Sequence, residues 1–140
     1  MERTARAEWS GGLKAGKGTL GSGSGVLEKT PYSFATRFEN QRGTNPEELV
    51  GAAHAGCFTM ALAAGLEKAG HTPERLVTEA RVQLEKIGEG WEVPRIRLSL
   101  RGKVPGITRE RFLELADEAK AGCPISKLLR AEIQLEAVLE

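Results

Sequence analysis

The segment Thr44-Asn45-Pro46-Glu47-Glu48 and the long apolar run behind it constrain this chain more than anything else in it. Asn45 is suited to cap a helix, Pro46 fits the first helical position where no amide hydrogen is needed, and Glu48 stands three residues after the cap. The helix can continue through Leu49, Val50, Ala52, Ala53, Cys57, Phe58, Met60, Ala61, Leu62, Ala64 and Leu66 until Gly70 stops it, a length of about 24 residues or ~36 Å. Its middle is apolar on nearly every side. A helix of that kind belongs inside a core or against another subunit, and its small residues permit close approach.

Residues 4–9 and 13–20 are short, weakly alternating segments joined by Ser10-Gly11-Gly12, which predicts a hairpin-like opening. The glycine-serine stretch at 21–25 reads as a flexible loop; it lacks the Gly-Lys-Ser/Thr ending of a phosphate-binding loop. The alternation of Tyr32, Phe34, Thr36 and Phe38 with Ser33, Ala35 and Arg37 predicts a strand with Arg37 on the face opposite the aromatics. Residues 76–87 alternate likewise, and after the turn Gly88-Glu89-Gly90 the row Ile96, Leu98, Leu100 supplies an antiparallel partner. Thr108 can cap a helix that carries Phe112, Leu115, Ala116 and Ala119 on one face and ends at Gly122. Cys123-Pro124 then begins a short helix, and Ile133, Leu135, Ala137 and Leu139 alternate with glutamate and glutamine in a last strand. Antiparallel runs of strands separated by two substantial helices define an α+β chain. Its 140 residues are the ordinary size of one domain, 1–140.

Lysine plus arginine number 20 against 19 aspartate plus glutamate, so no single sign dominates the surface and nucleic acid is not an expected partner. Arg95, Arg97 and Arg101 form a basic row, and cross-strand pairing with Glu79 and Glu85 on a solvated face accounts for it. The N-terminus lacks a secretory pattern and no stretch reaches 18 consecutive apolar residues. A soluble, cytoplasmic protein without a membrane partner is the expectation. In that compartment two cysteines far apart in sequence are either inert core residues or a redox pair that cycles.

Cys57 lies mid-helix among alanines and large apolar groups, where burial raises a thiol pKa and the helix dipole offers little. A reactive thiolate there needs a cation from elsewhere, and Arg37 is a candidate because its guanidinium stays protonated and offers a fixed fork of donors. Glu47 can hold that fork, or serve only as a first-turn carboxylate. Glu47 and Cys57 are ten residues apart, roughly 15 Å along a straight helix, so they cannot meet on one small substrate from the same helix. Across a two-fold axis they can, which makes dimerisation part of the catalytic expectation. Cys123, at a helix start, is either a second thiol for exchange or a small buried residue at a helix junction. Zinc binding by His54, Cys57, His71 and Cys123 is a third reading, but no CxxC or HExxH spacing accompanies them, and no metal or cofactor is expected. His54 reads instead as a hydrogen-bonded helix residue.

Tyr32-Ser33-Phe34-Ala35-Thr36-Arg37-Phe38-Glu39, Gly43-Thr44-Asn45-Pro46-Glu47-Glu48-Leu49-Val50, Ala52-Ala53-His54-Ala55-Gly56-Cys57-Phe58 and Ala119-Lys120-Ala121-Gly122-Cys123-Pro124-Ile125-Ser126 together resemble the OsmC/Ohr family of osmotically inducible and organic-hydroperoxide-resistance proteins. The Thr-Arg-Phe-Glu segment resembles the OsmC branch more than the Ohr branch. The resemblance implies antiparallel sheets wrapped around long central helices in an intertwined homodimer, with two active sites at the subunit interface. It implies a peroxidatic Cys57, a resolving Cys123, Arg37 as thiolate activator and peroxide binder, and Glu47 as the partner that positions Arg37. Organic hydroperoxides and hydrogen peroxide are the implied substrates, and a dihydrolipoyl-type dithiol the implied reductant. The competing reading is a non-enzymatic dimeric stress or binding protein whose cysteines are buried and structural.

Overall fold

The structure is a computed structural model that describes residues 1–129 and 131–140. It comprises two compact units, 1–49 and 50–140, whose boundary falls in the first turns of the long helix.

In the first unit, β1 (Ala5–Ser10), β2 (Lys17–Ser22) and β3 (Thr30–Tyr32) form an antiparallel sheet in that order, so the opening hairpin forms as the sequence indicates. The strand expected over 32–38 is a correction: only its first residue lies in a strand, and α1 (Phe34–Phe38) follows. Local hydrogen bonding overrides the alternation. The Thr36 amide donates to Ser33 Oγ at 3.2 Å and the Ser33 amide donates to Thr36 Oγ1 at 3.0 Å, a reciprocal box that satisfies two amides at the helix start. Phe34 and Phe38 then lie four apart on one helical face with ring centroids 4.9 Å apart. The chain leaves α1 through Asn40 at φ +57°, a conformation asparagine tolerates better than most residues.

The long helix, α2 (Pro46–Lys68), begins where the sequence indicates: the Glu48 amide donates to Asn45 Oδ1 at 2.9 Å. It ends with Gly70 at φ +85°, which lets the His71 amide turn back to the Leu66 carbonyl. Gly51, His54, Phe58, Leu62 and Leu66 make its buried stripe, while Ala52, Ala53, Gly56, Met60 and Ala64 are exposed. By length and composition α2 is apolar enough to cross a membrane, with a mean hydropathy of 1.6 over its best window.

In the second unit, β4 (Arg75–Ile87) and β5 (Gly90–Lys103) form the expected antiparallel hairpin. β6 (Glu132–Leu139) joins β5 in parallel, which corrects the all-antiparallel expectation for this sheet. The reason is topological. Between β5 and β6 the chain runs through α3 (Arg109–Gly122) and α4 (Pro124–Leu128), the kind of long crossover that parallel neighbours require. Parallel pairing also changes the partners of the basic row. Arg95, Arg97 and Arg101 reach Glu132, Glu136 and Glu140 on the β6 side at 3.3, 3.9 and 3.9 Å, whereas Glu79 pairs with Arg81 on its own strand.

The core of this unit joins Phe58, Leu62 and Leu66 of α2 to Ile96, Leu98 and Leu100 of β5 and to Phe112, Leu115, Ala116 and Ala119 of α3. Cys123 belongs to the same cluster. At Gly102 the Phe112 ring of α3 leaves no room on β5: a Cβ there would lie 2.5 Å from Phe112 Cζ and 3.1 Å from Leu76 Cδ2. Because the Phe112 ring is wholly buried and has nowhere to retreat, Gly102→Ala is expected to destabilise the fold by about 1–3 kcal/mol. A urea titration reading the shift of the unfolding midpoint checks this.

Candidate active site

α2 and the α3–α4 junction each deliver one cysteine to the same point of the second unit. Cys57 sits mid-helix on α2, partly exposed, beside the exposed Gly56. Cys123 is fully buried, ends α3 with its amide on the Ala119 carbonyl, and stands at the N-cap of α4 with Pro124 after it. Both thiols are free, and their sulfurs are 2.9 Å apart. The structure thus brings together the two cysteines that are 66 positions apart in sequence.

Their surroundings differ. Burial, followed by the neighbouring Cys123 thiol, pushes the Cys57 thiol above the ordinary cysteine range. Burial also acts to raise Cys123, but hydrogen bonds outweigh it: Cys57, the Ser126 amide and hydroxyl and the Ile125 amide together hold that thiol below the ordinary range. The α4 amides face the Cys123 sulfur without closing a side-chain cap of standard geometry. Of the two thiols, Cys123 is therefore the easier to ionise and Cys57 the harder. A cation beside Cys57 would favour its thiolate.

The first unit holds a second cluster. Arg37 Nη2 donates to Glu47 Oε1 at 2.7 Å and Arg37 Nε donates to the same oxygen at 3.1 Å and to Oε2 at 3.3 Å. The Glu47 side chain is 15% exposed and that of Arg37 37%, so the fork is held from the carboxylate side while part of the guanidinium stays open. The reciprocal Ser33–Thr36 box fixes α1, and the Thr36 hydroxyl donates to the Thr44 carbonyl at 2.8 Å, which ties α1 to the start of α2. Contrary to the strand reading, Arg37 does not oppose the aromatics: its guanidinium carbon stands 5.1 Å from the Phe38 ring centre. Arg37 and Glu47 are thus paired in one unit, and Cys57 and Cys123 in the other.

Two residues near the thiols were not assigned chemistry from sequence. His54 is wholly buried and its Nε2 lies 2.8 Å from Ser126 Oγ. Ser126 stands three residues after the Cys123 N-cap of α4, a spacing that is readable in the sequence. His71 joins neither cluster, and among the described residues no group of three or more His, Cys, Asp or Glu side chains is placed to hold a metal ion.

An α+β chain with two free cysteines in sulfur contact at a helix junction belongs to the class of dithiol redox proteins. Comparison places it within that class. The chain belongs to the OsmC-like protein family, whose family model matches residues 38–138. It is 48% identical over 140 residues to peroxiredoxin OsmC of Escherichia coli strain K12, covering 100% of this chain and 98% of that one. The structure of the organic hydroperoxide resistance protein OhrB of Bacillus subtilis superposes with a TM-score of 0.68 at 30% identity, covering 98% of both chains. That of an organic hydroperoxide resistance protein from Elizabethkingia anophelis gives a TM-score of 0.71 at 26% identity, covering 100% of this chain and 97% of that one. The higher identity to the OsmC relative agrees with the branch indicated by the Thr-Arg-Phe-Glu segment.

Proposed function

We propose that this protein is a cysteine-based peroxidase that reduces organic hydroperoxides, and hydrogen peroxide as well. The observation that carries the reading is the pair of reduced sulfurs 2.9 Å apart, one partly exposed and one buried. An outer thiol that meets peroxide and an inner thiol that closes on it is the arrangement a two-cysteine cycle requires. Cys57 thiolate attacks one oxygen of ROOH, the O–O bond breaks, ROH leaves after taking a proton, and Cys57 becomes a sulfenic acid. Cys123 then displaces water and forms a disulfide, which shields Cys57 from further oxidation.

Arg37 supplies the missing cation in this reading. Its guanidinium stabilises the Cys57 thiolate and the charge that develops on the leaving oxygen, and Glu47 keeps the fork aimed. The two clusters meet in a homodimer, where the exposed stripe Ala52, Ala53, Gly56, Met60 and Ala64 of α2 is covered by a second copy. Covering that stripe also gives the apolar α2 a role that needs no membrane. A dihydrolipoyl-type dithiol reopens the disulfide, and the cytoplasm, where thiols are kept reduced, suits such a cycle.

The reading is tested by treating the reduced protein with one equivalent of cumene hydroperoxide and counting thiols by alkylation and mass spectrometry. Both thiols are expected to disappear with a loss of ~2 Da, and dihydrolipoamide to restore them. Retention of both thiols would favour the structural-cysteine alternative.

A further inference from the structure

His54 is a fully buried ionisable group to which the cycle above gives no task. Its position is specific. His54 and Cys57 are three residues apart on α2, and Cys123 and Ser126 are three residues apart at the start of α4. The two segments therefore meet in two parallel rungs, His54 Nε2 to Ser126 Oγ at 2.8 Å and Cys57 Sγ to Cys123 Sγ at 2.9 Å. The Ser126 hydroxyl and amide also face the Cys123 sulfur and favour its ionised form, which links the rungs.

The imidazole is costly where it stands. Among the described residues its Nδ1 is buried without a hydrogen-bond partner, a cost that an apolar side chain would avoid. Such an exception beside a reactive sulfur calls for an explanation beyond packing. Among the described residues the titratable groups along the path include Cys57 from α2 and Cys123 from the start of α4. Burial pushes His54 below the ordinary histidine range, which favours the neutral ring able to accept a proton.

We propose that Ser126 and His54 form a proton relay that serves Cys123 while the disulfide closes, an inference that rests on the peroxidase reading. As the Cys123 sulfur attacks the sulfenyl sulfur of Cys57, its proton passes to Ser126 Oγ and the Ser126 proton passes to His54 Nε2. The S–S bond forms and the S–O bond of Cys57 breaks. The hydroxide leaves as water by taking up one proton, and His54 releases one, so no net proton is consumed. Cys123 sulfur is oxidised and the sulfenyl sulfur reduced, so no further oxidant is needed.

The experiment separates the two chemical steps in rapid-mixing measurements with cumene hydroperoxide. Oxidation of Cys57 is followed by dimedone trapping in a Cys123→Ser background, and disulfide closure by acid quench, alkylation and mass spectrometry in the otherwise intact chain. Ser126→Ala and His54→Gln are expected to slow closure by about 10²-fold, the scale of a lost general base, with Cys57 oxidation changed less than about twofold. Ser126→Thr, which restores the hydroxyl, is expected to recover most of the closure rate. Ser126 is only partly buried, so its two variants decide the matter even if His54→Gln fails to fold. Closure at the parent rate in Ser126→Ala overturns the relay alone. So does an equal fall in both steps that threonine does not rescue, since that pattern marks a structural role. Failure of the parent protein to oxidise Cys57 overturns the peroxidase reading and the relay with it.

Discussion

Cys57→Ser is expected to lower hydroperoxide turnover by at least ~10³-fold while leaving the protein folded. Serine keeps the shape of the side chain at a partly exposed helix position, but a hydroxyl with a pKa far above that of a thiol cannot form the nucleophile at neutral pH. The same substitution removes the sulfur that faces Cys123 at 2.9 Å, so peroxide no longer drives loss of the second thiol. Turnover assays with dihydrolipoamide, together with a circular dichroism spectrum matching the parent, check both halves. Residual turnover near the parent rate would move the nucleophile to Cys123, the thiol whose own surroundings favour ionisation.

Arg37→Met is expected to reduce the second-order rate of Cys57 oxidation by about 10²–10³-fold, the usual effect of deleting a donor aimed at developing charge. The pH dependence gives the sharper reading. Burial and Cys123 hold the Cys57 thiol above its ordinary range, so without a cation the thiolate fraction at neutral pH falls and the rate recovers only as pH rises. The parent profile should therefore reach its plateau at lower pH than that of Arg37→Met. Superimposable profiles, measured by stopped-flow oxidation between pH 6 and about 10, would show that Arg37 does not act on Cys57. Methionine keeps an apolar stem and removes the guanidinium, so the loss can be assigned to the charge and the fork with Glu47.

The helices were legible because each announces itself within a few residues: Asn45-Pro46 starts α2, Gly70 stops it, and Thr108 with the Phe112, Leu115, Ala116, Ala119 face defines α3. Alternation served as well for β4 and β5. It misled at 32–38, where two side-chain oxygens, those of Ser33 and Thr36, decide for a helical turn that a count of aromatics cannot weigh. The direction of β6 was also beyond reach, since a strand reads the same in either sense and the partner row Glu132, Glu136 and Glu140 becomes visible only once the crossover is known.

At the site, sequence singled out Cys57, Cys123, Arg37 and Glu47 as residue types. What spacing could not supply was proximity: Cys57 meets Cys123 across 66 positions and His54 meets Ser126 across 72. The inequality of the two thiols is likewise a tertiary property, because it depends on which amides and hydroxyls of α4 face Cys123. The competing reading of buried, inert cysteines accounts for the burial of Cys123 but gives no reason for a second free sulfur in contact with it.

The most direct test of the account is sustained consumption of cumene hydroperoxide by the wild-type protein with excess dihydrolipoamide, followed alongside the alcohol produced. The account predicts many turnovers per protein, one alcohol and one oxidised dithiol for each hydroperoxide consumed, until the peroxide is gone. Consumption no faster than in dithiol without protein would contradict it and leave the contact between Cys57 and Cys123 as a feature of the core alone.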